Sequence, residues 1–530
     1  MAPHATSFIF SGDKDQFSPE RFAAPSSGSP EAQLNAHDAS KGDTSNCDGA
    51  QKSLPQRHPV TGISVIIAGS GIGGLMAAIE CWRKGHTVLK IFERNDAPIY
   101  TGDSIGIQPS AMSVFRHWPD MCREIEEEQY DCTISYKKHT GDHVYGPGPP
   151  SFNDPENRVG RLGPHVGFLQ NRVNFYRTFL RQVAKLGLRI EYGKPVKEYF
   201  EDANAKKGGV ILENGEVHLA DLVIAADGIK TRSGKLVAGK DTSPKESGMA
   251  IYRCAYPIDL AFADPNVRQR WQSTNTDTPP SWEFWLGPGM HAAVLIAHGI
   301  AHWALTHKDD GSARESWDPK VKPEEVLRQM DVAKGWHPDL LALMRTAPPG
   351  SIVHWKLMWR DLRSTWTSPG ARVVQIGDSA HSFLPASGNG GTQALEDAVT
   401  LATCLQLSGS KDSAPLAAKV FNLLRYQRVS CAQKMSFVNA QLKHQTDWPT
   451  IEANPKLIRT RFPRWVYMHD PEDYAYNKYG QAVHHILADG AFKNTNIPPG
   501  HKFVPWTIEQ VQKDIENGKK VENFLDGDWT

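Results

Sequence analysis

Apolar residues in this chain gather in short runs separated by glycine turns, and the runs alternate with stripes of helical period. Val65, Ile66 and Ile67 form a β-branched run that suits a strand buried on both faces. Leu75 to Lys84 then reads as a short helix, Gly85 as its stop, and Thr87 to Phe92 as the next strand. The same alternation returns further on. A helix is predicted over Val173–Leu186, a strand over Leu188–Tyr192, and another over Asp221–Gly228. A last strand covers Val373–Ile376, ahead of a helix from Gln393 striped by Ala394, Leu395, Ala398, Val399, Leu401, Ala402 and Leu405. Between these blocks, residues 246 to about 310 change character. Short strands there are split by Pro/Gly turns and carry Trp271, Trp282, Trp285 and Trp303. The pattern predicts an α/β protein: a Rossmann-like parallel sheet, a separate mixed or antiparallel sheet, and a C-terminal helical segment.

The glycines of the first turn have a chemical reading. Gly69, Gly71 and Gly74 stand at G-x-G-x-x-G spacing between strand and helix. The first permits the tight turn, the second lets backbone approach a pyrophosphate, and the third lets helix pack on sheet. The N-terminal amides of the helix then face the phosphates. Glu93 ends the following strand, placed to bind the adenosine ribose hydroxyls. An acid there argues against NADP at this site, and leaves FAD and NAD.

A second segment decides between them. An apolar strand delivers Gly377 and Asp378 to a loop, and Gly388-Asn389-Gly390-Gly391 opens the next helix. A carboxylate at a strand end binds a polyol hydroxyl, and a helix N-terminus stabilises negative charge on a ring. A flavin, with its ribityl chain and anionic reduced form, uses both features, whereas an NAD site needs neither. A third segment, Asp221 to Gly228, is another apolar strand, ending in Asp227-Gly228.

These three segments, in this order, resemble the group A flavoprotein monooxygenases, the p-hydroxybenzoate hydroxylase and salicylate hydroxylase family, over residues 61 to 440 or so. The likeness is strongest to the fungal secondary-metabolite branch, which His469-Asp470-Pro471-Glu472 and Asn494 to Gly500 also resemble. The resemblance implies non-covalent FAD and NAD(P)H as co-substrate. It also implies dioxygen chemistry through a flavin C4a-hydroperoxide that hydroxylates, epoxidises or dearomatises an electron-rich aromatic, polyketide or alkaloid metabolite. It places Gly106 where backbone approaches the flavin, and Arg172 against the FAD phosphates or ribityl chain. Asp378 and Gly391 fall in the family's late flavin loop. Arg253, in Ala250-Ile251-Tyr252-Arg253, resembles an arginine that faces flavin and phenolate substrate, and is the candidate catalytic residue. The branch pairs it with a tyrosine in a His-x-x-x-Tyr context, where this chain has Leu295 after His291. The implied domains are 61–130, 165–245 and 350–440 for FAD, and 131–164 and 246–349 for substrate, with 441–530 as a helical appendage. Two alternatives stay open: a desaturase or dehydrogenase on the same fold, and a non-catalytic flavoprotein.

Composition narrows the partners. The chain has 530 residues with 59 basic and 59 acidic side chains, so no net field recruits nucleic acid or an anionic membrane. No apolar run reaches the length of a membrane span, and no secretory signal pattern stands at the start. Seven scattered cysteines form no metal-ligand spacing, so no metal is expected. The expectation is a cytoplasmic enzyme with a small-molecule substrate. Residues 1–60 are rich in Ser, Pro, Asp and Gly, a composition that predicts a disordered extension.

Overall fold

The computed structural model describes residues 55–529 apart from Thr101, 159–165, Phe168, 241–242, 273–278, 315–320, 386–387 and Lys520. The extension expected at the N-terminus therefore lies outside the described residues up to 54. Its last six residues do pack on the body: His58 N donates to Arg83 O at 2.8 Å, and Arg57 Nε to Trp82 O at 3.0 Å.

The FAD-type layer is a five-stranded parallel sheet in the order Val373–Gln375, Leu222–Ala225, Ser64–Ala68, Thr87–Phe92, Ile190–Glu191. The first described strand, Ser64–Ala68, lies at its centre. Its residues Val65, Ile66 and Ile67 are at most 1% exposed, which is why the sequence there is a continuous apolar run. Helices α1 (Ile72–Arg83), α2 (Arg172–Lys185), α3 (Gly390–Ser408) and α4 (Ala414–His444) build the adjoining core. Gly85, at φ +85°, ends the first βα unit and takes Pro59 O so closely that a Cβ would stand 2.1 Å from it.

The second layer is a seven-stranded mixed sheet in the order Ile352–Trp359, Lys245–Pro257, Ile300–Lys308, Met290–Ala297, Ser281–Gly287, Thr133–Lys138, His143–Gly148. Its pairs are antiparallel except Ser281–Gly287 with Thr133–Lys138. Within the ranges expected for the substrate domain, 131–164 and 246–349, the strands Thr133–Lys138, His143–Gly148, Ser281–Gly287, Met290–Ala297 and Ile300–Lys308 pair in this one sheet. The return to the FAD layer comes later than position 350. Ile352–Trp359 is the edge strand beside Lys245–Pro257, and a short apolar strand reads the same whichever sheet it joins. A small antiparallel sheet of Ser104–Gly106, Leu169–Asn171 and Gln129–Tyr130 stitches the two layers.

The C-terminal stretch is less separate than a helical appendage implies. Glu472, on helix α5 (Pro471–Ala488), accepts from Arg83 Nη2 at 2.8 Å, Arg116 Nη2 at 3.1 Å and Lys84 Nζ, and lies 2.5 Å from His117 Nε2. These cations hold its carboxyl far below the usual range against the effect of burial. Arg428 of α4 donates to the carbonyls of Trp465 and Val466 at 2.8 and 3.0 Å. The links of Glu472, each across more than 350 positions, leave no local trace in sequence. No described helix is long and apolar enough to cross a membrane.

Candidate active site

The first glycine turn, some 300 residues away in sequence, meets the Gly377-Asp378 turn and the start of α3 at Ala394. A Cβ on Gly73 of α1 would stand 3.2 Å from Ala394 Cβ, and so would one on Gly377. The first glycine turn, the Gly377-Asp378 turn and the α3 N-terminus therefore share one cleft.

The glycines of the first turn divide by what surrounds them. A Cβ on Gly69, at φ +107°, would lie 2.2 Å from Ala226 O, and one on Gly74 would lie 2.1 Å from Gly69 O. Both positions are closed by backbone. At Gly71 a Cβ meets nothing within 4 Å, although Gly71 is the N-cap of α1 and has no side chain to accept from the first-turn amides. A space bordered by unclaimed amides suits a pyrophosphate. Glu93 is 9% exposed and accepts four hydrogen bonds, from Ser70 N (3.0 Å), Ser70 Oγ (2.8 Å), Asn95 N (3.0 Å) and Asn95 Nδ2 (2.6 Å). It ties the glycine turn to the end of the second strand, and any ribose must share a carboxylate that also holds the loop.

Asp378 is exposed between buried Gly377 and Ser379, so its side chain faces the cleft rather than the core. Protein crowding the cleft pushes its pKa up, and His381, Arg360 and Arg172 oppose that shift. Its neighbour His381 is fully buried and joins Asp397 Oδ2 at 2.6 Å, where Gly377 N also donates at 2.9 Å. His381 thus braces the turn. Arg172 opens α2, and a Cβ on Gly102 would meet its Cδ at 2.7 Å. Burial lowers the Arg172 pKa, and nearby Arg253 lowers it further. A cation at a helix start that is crowded by a second cation favours an anionic ligand. Gly391 differs from the sequence expectation of a flavin contact in one respect. A Cβ there would meet Ile105 Cδ1 and Ile107 Cδ1 at 3.0 Å, so packing against the Ser104–Gly106 strand already requires a small residue. These residues fit a flavin dinucleotide: an open phosphate cradle, a carboxylate and a guanidinium in the cleft, and a helix N-terminus beyond.

A cavity of about 290 Å³ adjoins the cleft through Asp103, Ser104 and Gly106. The mixed sheet roofs it. Arg253, Ala304, Ala293 and Phe284 are paired in register across four strands, and all line the cavity. The Arg253 guanidinium is gripped by Asp103: Nη2 bonds to Oδ1, Nε donates to Oδ2 at 3.3 Å, and Nη2 also reaches Ser104 O at 3.2 Å. The sequence placed Arg253 in the site without signalling Asp103, so its attraction for a phenolate is offset by a carboxylate. Leu295 lines the cavity next to His302, whose Nε2 lies 3.0 Å from Tyr130 Oη. Residues beyond the expected substrate domain also contribute, among them Phe437, Lys443 and His444 of α4 and Phe462.

Residues 62–417 match the FAD binding domain family. The chain is 55% identical over 531 residues, covering 100% of both chains, to the FAD-dependent monooxygenase dmxR9 of Cryptosporiopsis sp. (strain 8999). It is 54% identical over 525 residues, 98% of each chain, to the FAD-dependent monooxygenase mdpD of Emericella nidulans. The chain belongs to the FAD-dependent monooxygenase family. Among solved structures, CtdE in complex with FAD and substrate 4 superposes with a TM-score of 0.72 at 30% identity, over 80% of this chain and 99% of that one. FAD is the cofactor of this monooxygenase, and its membership of the fungal branch agrees with the relatives' sources. If Asp378 holds a flavin hydroxyl, Asp378→Ala removes a charge-assisted bond of about 1.5–3 kcal/mol. Flavin released on dilution is then expected at roughly ten- to hundredfold higher protein concentration than for the wild type. Unchanged occupancy removes Asp378 from the cofactor site.

Proposed function

We propose that this monooxygenase uses NAD(P)H and dioxygen to insert oxygen into an electron-rich aromatic or polyketide-like secondary metabolite held in the cavity below the mixed sheet, and that it works in the cytoplasm. The observation that carries this reading is the junction of cleft and cavity at Asp103, Ser104 and Gly106, beneath walls that include Trp282, Phe284, Trp303 and Phe437. Flat apolar walls favour a flat apolar ligand.

We assign the Gly71 cradle and the α1 amides to the pyrophosphate and Glu93 to the ribose. Arg172 and Asp378 fall to the phosphates and ribityl chain, and the α3 N-terminus to the ring. When bound, FAD supplies electron transfer from the nicotinamide and activation of dioxygen. The protein's share is positional. Trp282 and Phe284, with ring centroids 4.4 Å apart, exclude water from one wall. Arg253, held by Asp103, sets the polar floor at the cofactor end.

The test is a visible spectrum of the purified protein followed by an NAD(P)H oxidation screen over phenolic polyketides and alkaloids. Flavin bands, full release of the flavin on acid precipitation, and substrate-stimulated NAD(P)H oxidation with a product heavier by one oxygen are expected. Oxidation that yields a desaturated product, or no substrate stimulation across the screen, overturns the reading.

A further inference from the structure

The cavity has a second polar end. His291, Lys443 and His444 line it together, two of them from the last turn of α4 and one from the Met290–Ala297 strand. His291 Nδ1 and His444 Nε2 are 2.9 Å apart, so one ring donates to the other, and the ring centroids are 4.9 Å apart. The Lys443 ammonium lies 4.3 Å from the centroid of Phe284, the ring that walls the cavity. The strand register fixes where this end is. Ile251 pairs with Thr306 and Thr306 with His291, so His291 stands two strands across and one row along from Arg253. With strands about 4.8 Å apart and a rise of about 3.4 Å per residue, the two Cα atoms are separated by about 12 Å along the sheet face. The cluster is thus a site apart from the Arg253–Asp103 floor, across the body of any ring system between them.

We propose that Lys443, supported by His291 and His444, binds an acidic hydroxyl of the substrate, phenolic or enolic, and thereby selects which ring position is presented at the cofactor end. This deepens the function proposed above and rests on its aromatic substrate. Three considerations favour a weakly acidic hydroxyl. Asp103 is the one carboxylate among the described residues that line the cavity, and Arg253 holds it, so the opposite end is basic in character. Lys443 is 3% exposed, and burial pushes its pKa down to about 7. An amine and a phenol of similar acidity share one proton with no change in the net charge of the buried pair, whereas a permanent carboxylate adds a buried charge. Burial and Lys443 push the histidines well below their ordinary value, His444 to about 4, so the two rings serve as neutral hydrogen-bonding groups beside the lysine.

The probes are 7-hydroxycoumarin, whose phenol and phenolate have distinct excitation bands, and 7-methoxycoumarin, which has the same rings and no acidic proton. Titrated into the oxidised holoenzyme at neutral pH, the hydroxyl form is expected to bind at least about tenfold more tightly than the ether. Its phenolate band should also exceed that of the free dye at the same pH. Lys443→Met is expected to retain FAD and ether binding while losing both the preference and the phenolate gain. Equal affinity of the wild type for the two coumarins overturns the proposal, as does a preference that survives in Lys443→Met. Should Lys443→Met fail to take up FAD, Lys443→Gln keeps a polar group but no base, and a phenolate gain that persists there overturns it as well. Because binding is read without turnover, coumarin discrimination without oxygenation in the screen refutes the proposed function alone, and oxygenation without discrimination refutes this site alone.

Discussion

Gly71→Val is expected to give a folded protein without flavin. The reason is the contrast within one turn. A Cβ at Gly69 or Gly74 would collide with backbone at 2.2 or 2.1 Å, so a side chain at either position damages the fold itself. At Gly71 the backbone is extended before α1, at φ −68°, and a Cβ meets no protein atom within 4 Å. A valine there leaves the protein's own packing alone and fills the space next to the α1 amides, where the phosphates are assigned. Circular dichroism and the thermal midpoint of the apoprotein should match those of wild-type apoprotein. The ratio of flavin to protein absorbance should fall to near zero, a loss of affinity on the order of a hundredfold or more, or about 3 kcal/mol. Gly74→Val is the companion measurement and should lose the fold. Full flavin occupancy in Gly71→Val would remove the first turn from the cofactor site. Loss of the fold in Gly71→Val would instead show that the glycine serves packing, as Gly391 does against Ile105 and Ile107.

The cofactor half of the molecule was legible because its chemistry lies in contiguous residues. A strand, a glycine turn and a helix must follow one another for backbone amides to face a phosphate, so Gly69, Gly71 and Gly74 carry their geometry in their spacing. The helix from Arg172 and the Gly377-Asp378 turn were legible for the same reason. What escaped was every relation made across the chain. Asp103 reaches Arg253 over 150 positions, and Glu93 is engaged by Ser70, 23 positions away. Lys443 and His444 meet His291 only because α4 runs 31 residues, past the domain boundary implied at 440, and brings its last turn under the mixed sheet. A lysine in the last turn of a helix reads as an ordinary dipole partner facing solvent. Nothing in its neighbours announces that it is buried. The edge strand Ile352–Trp359 was assigned to the wrong layer because alternation gives strand type and not sheet membership.

The two ends of the cavity divide the work of holding a substrate, and Arg253 is where a loss should show most clearly in the products. The Arg253 side chain is 23% exposed and that of Asp103 is 8% exposed, so removing the arginine leaves a largely buried carboxylate without its bidentate partner. Breaking a fully buried pair costs roughly 3–5 kcal/mol, and the partial exposure of Arg253 places this one toward or below the lower end of that range. For that reason Arg253→Ala should be read beside Arg253→Met/Asp103→Asn, which removes both charges and restores most of the stability. If Arg253 sets the substrate against the cofactor end, both variants should bind FAD and be reduced by NAD(P)H, because neither residue belongs to the phosphate cradle. Product formed per NAD(P)H consumed should fall at least tenfold, about 1.4 kcal/mol or more in favour of the unproductive route. Hydrogen peroxide should account for the difference. Arg253→Lys should recover only part of the coupling, since a point charge cannot span both oxygens of Asp103 as the planar fork does. Wild-type coupling in the double variant would reduce the pair to a structural brace. Tight coupling in Arg253→Lys would show that charge alone, without the fork, is what the cofactor end requires.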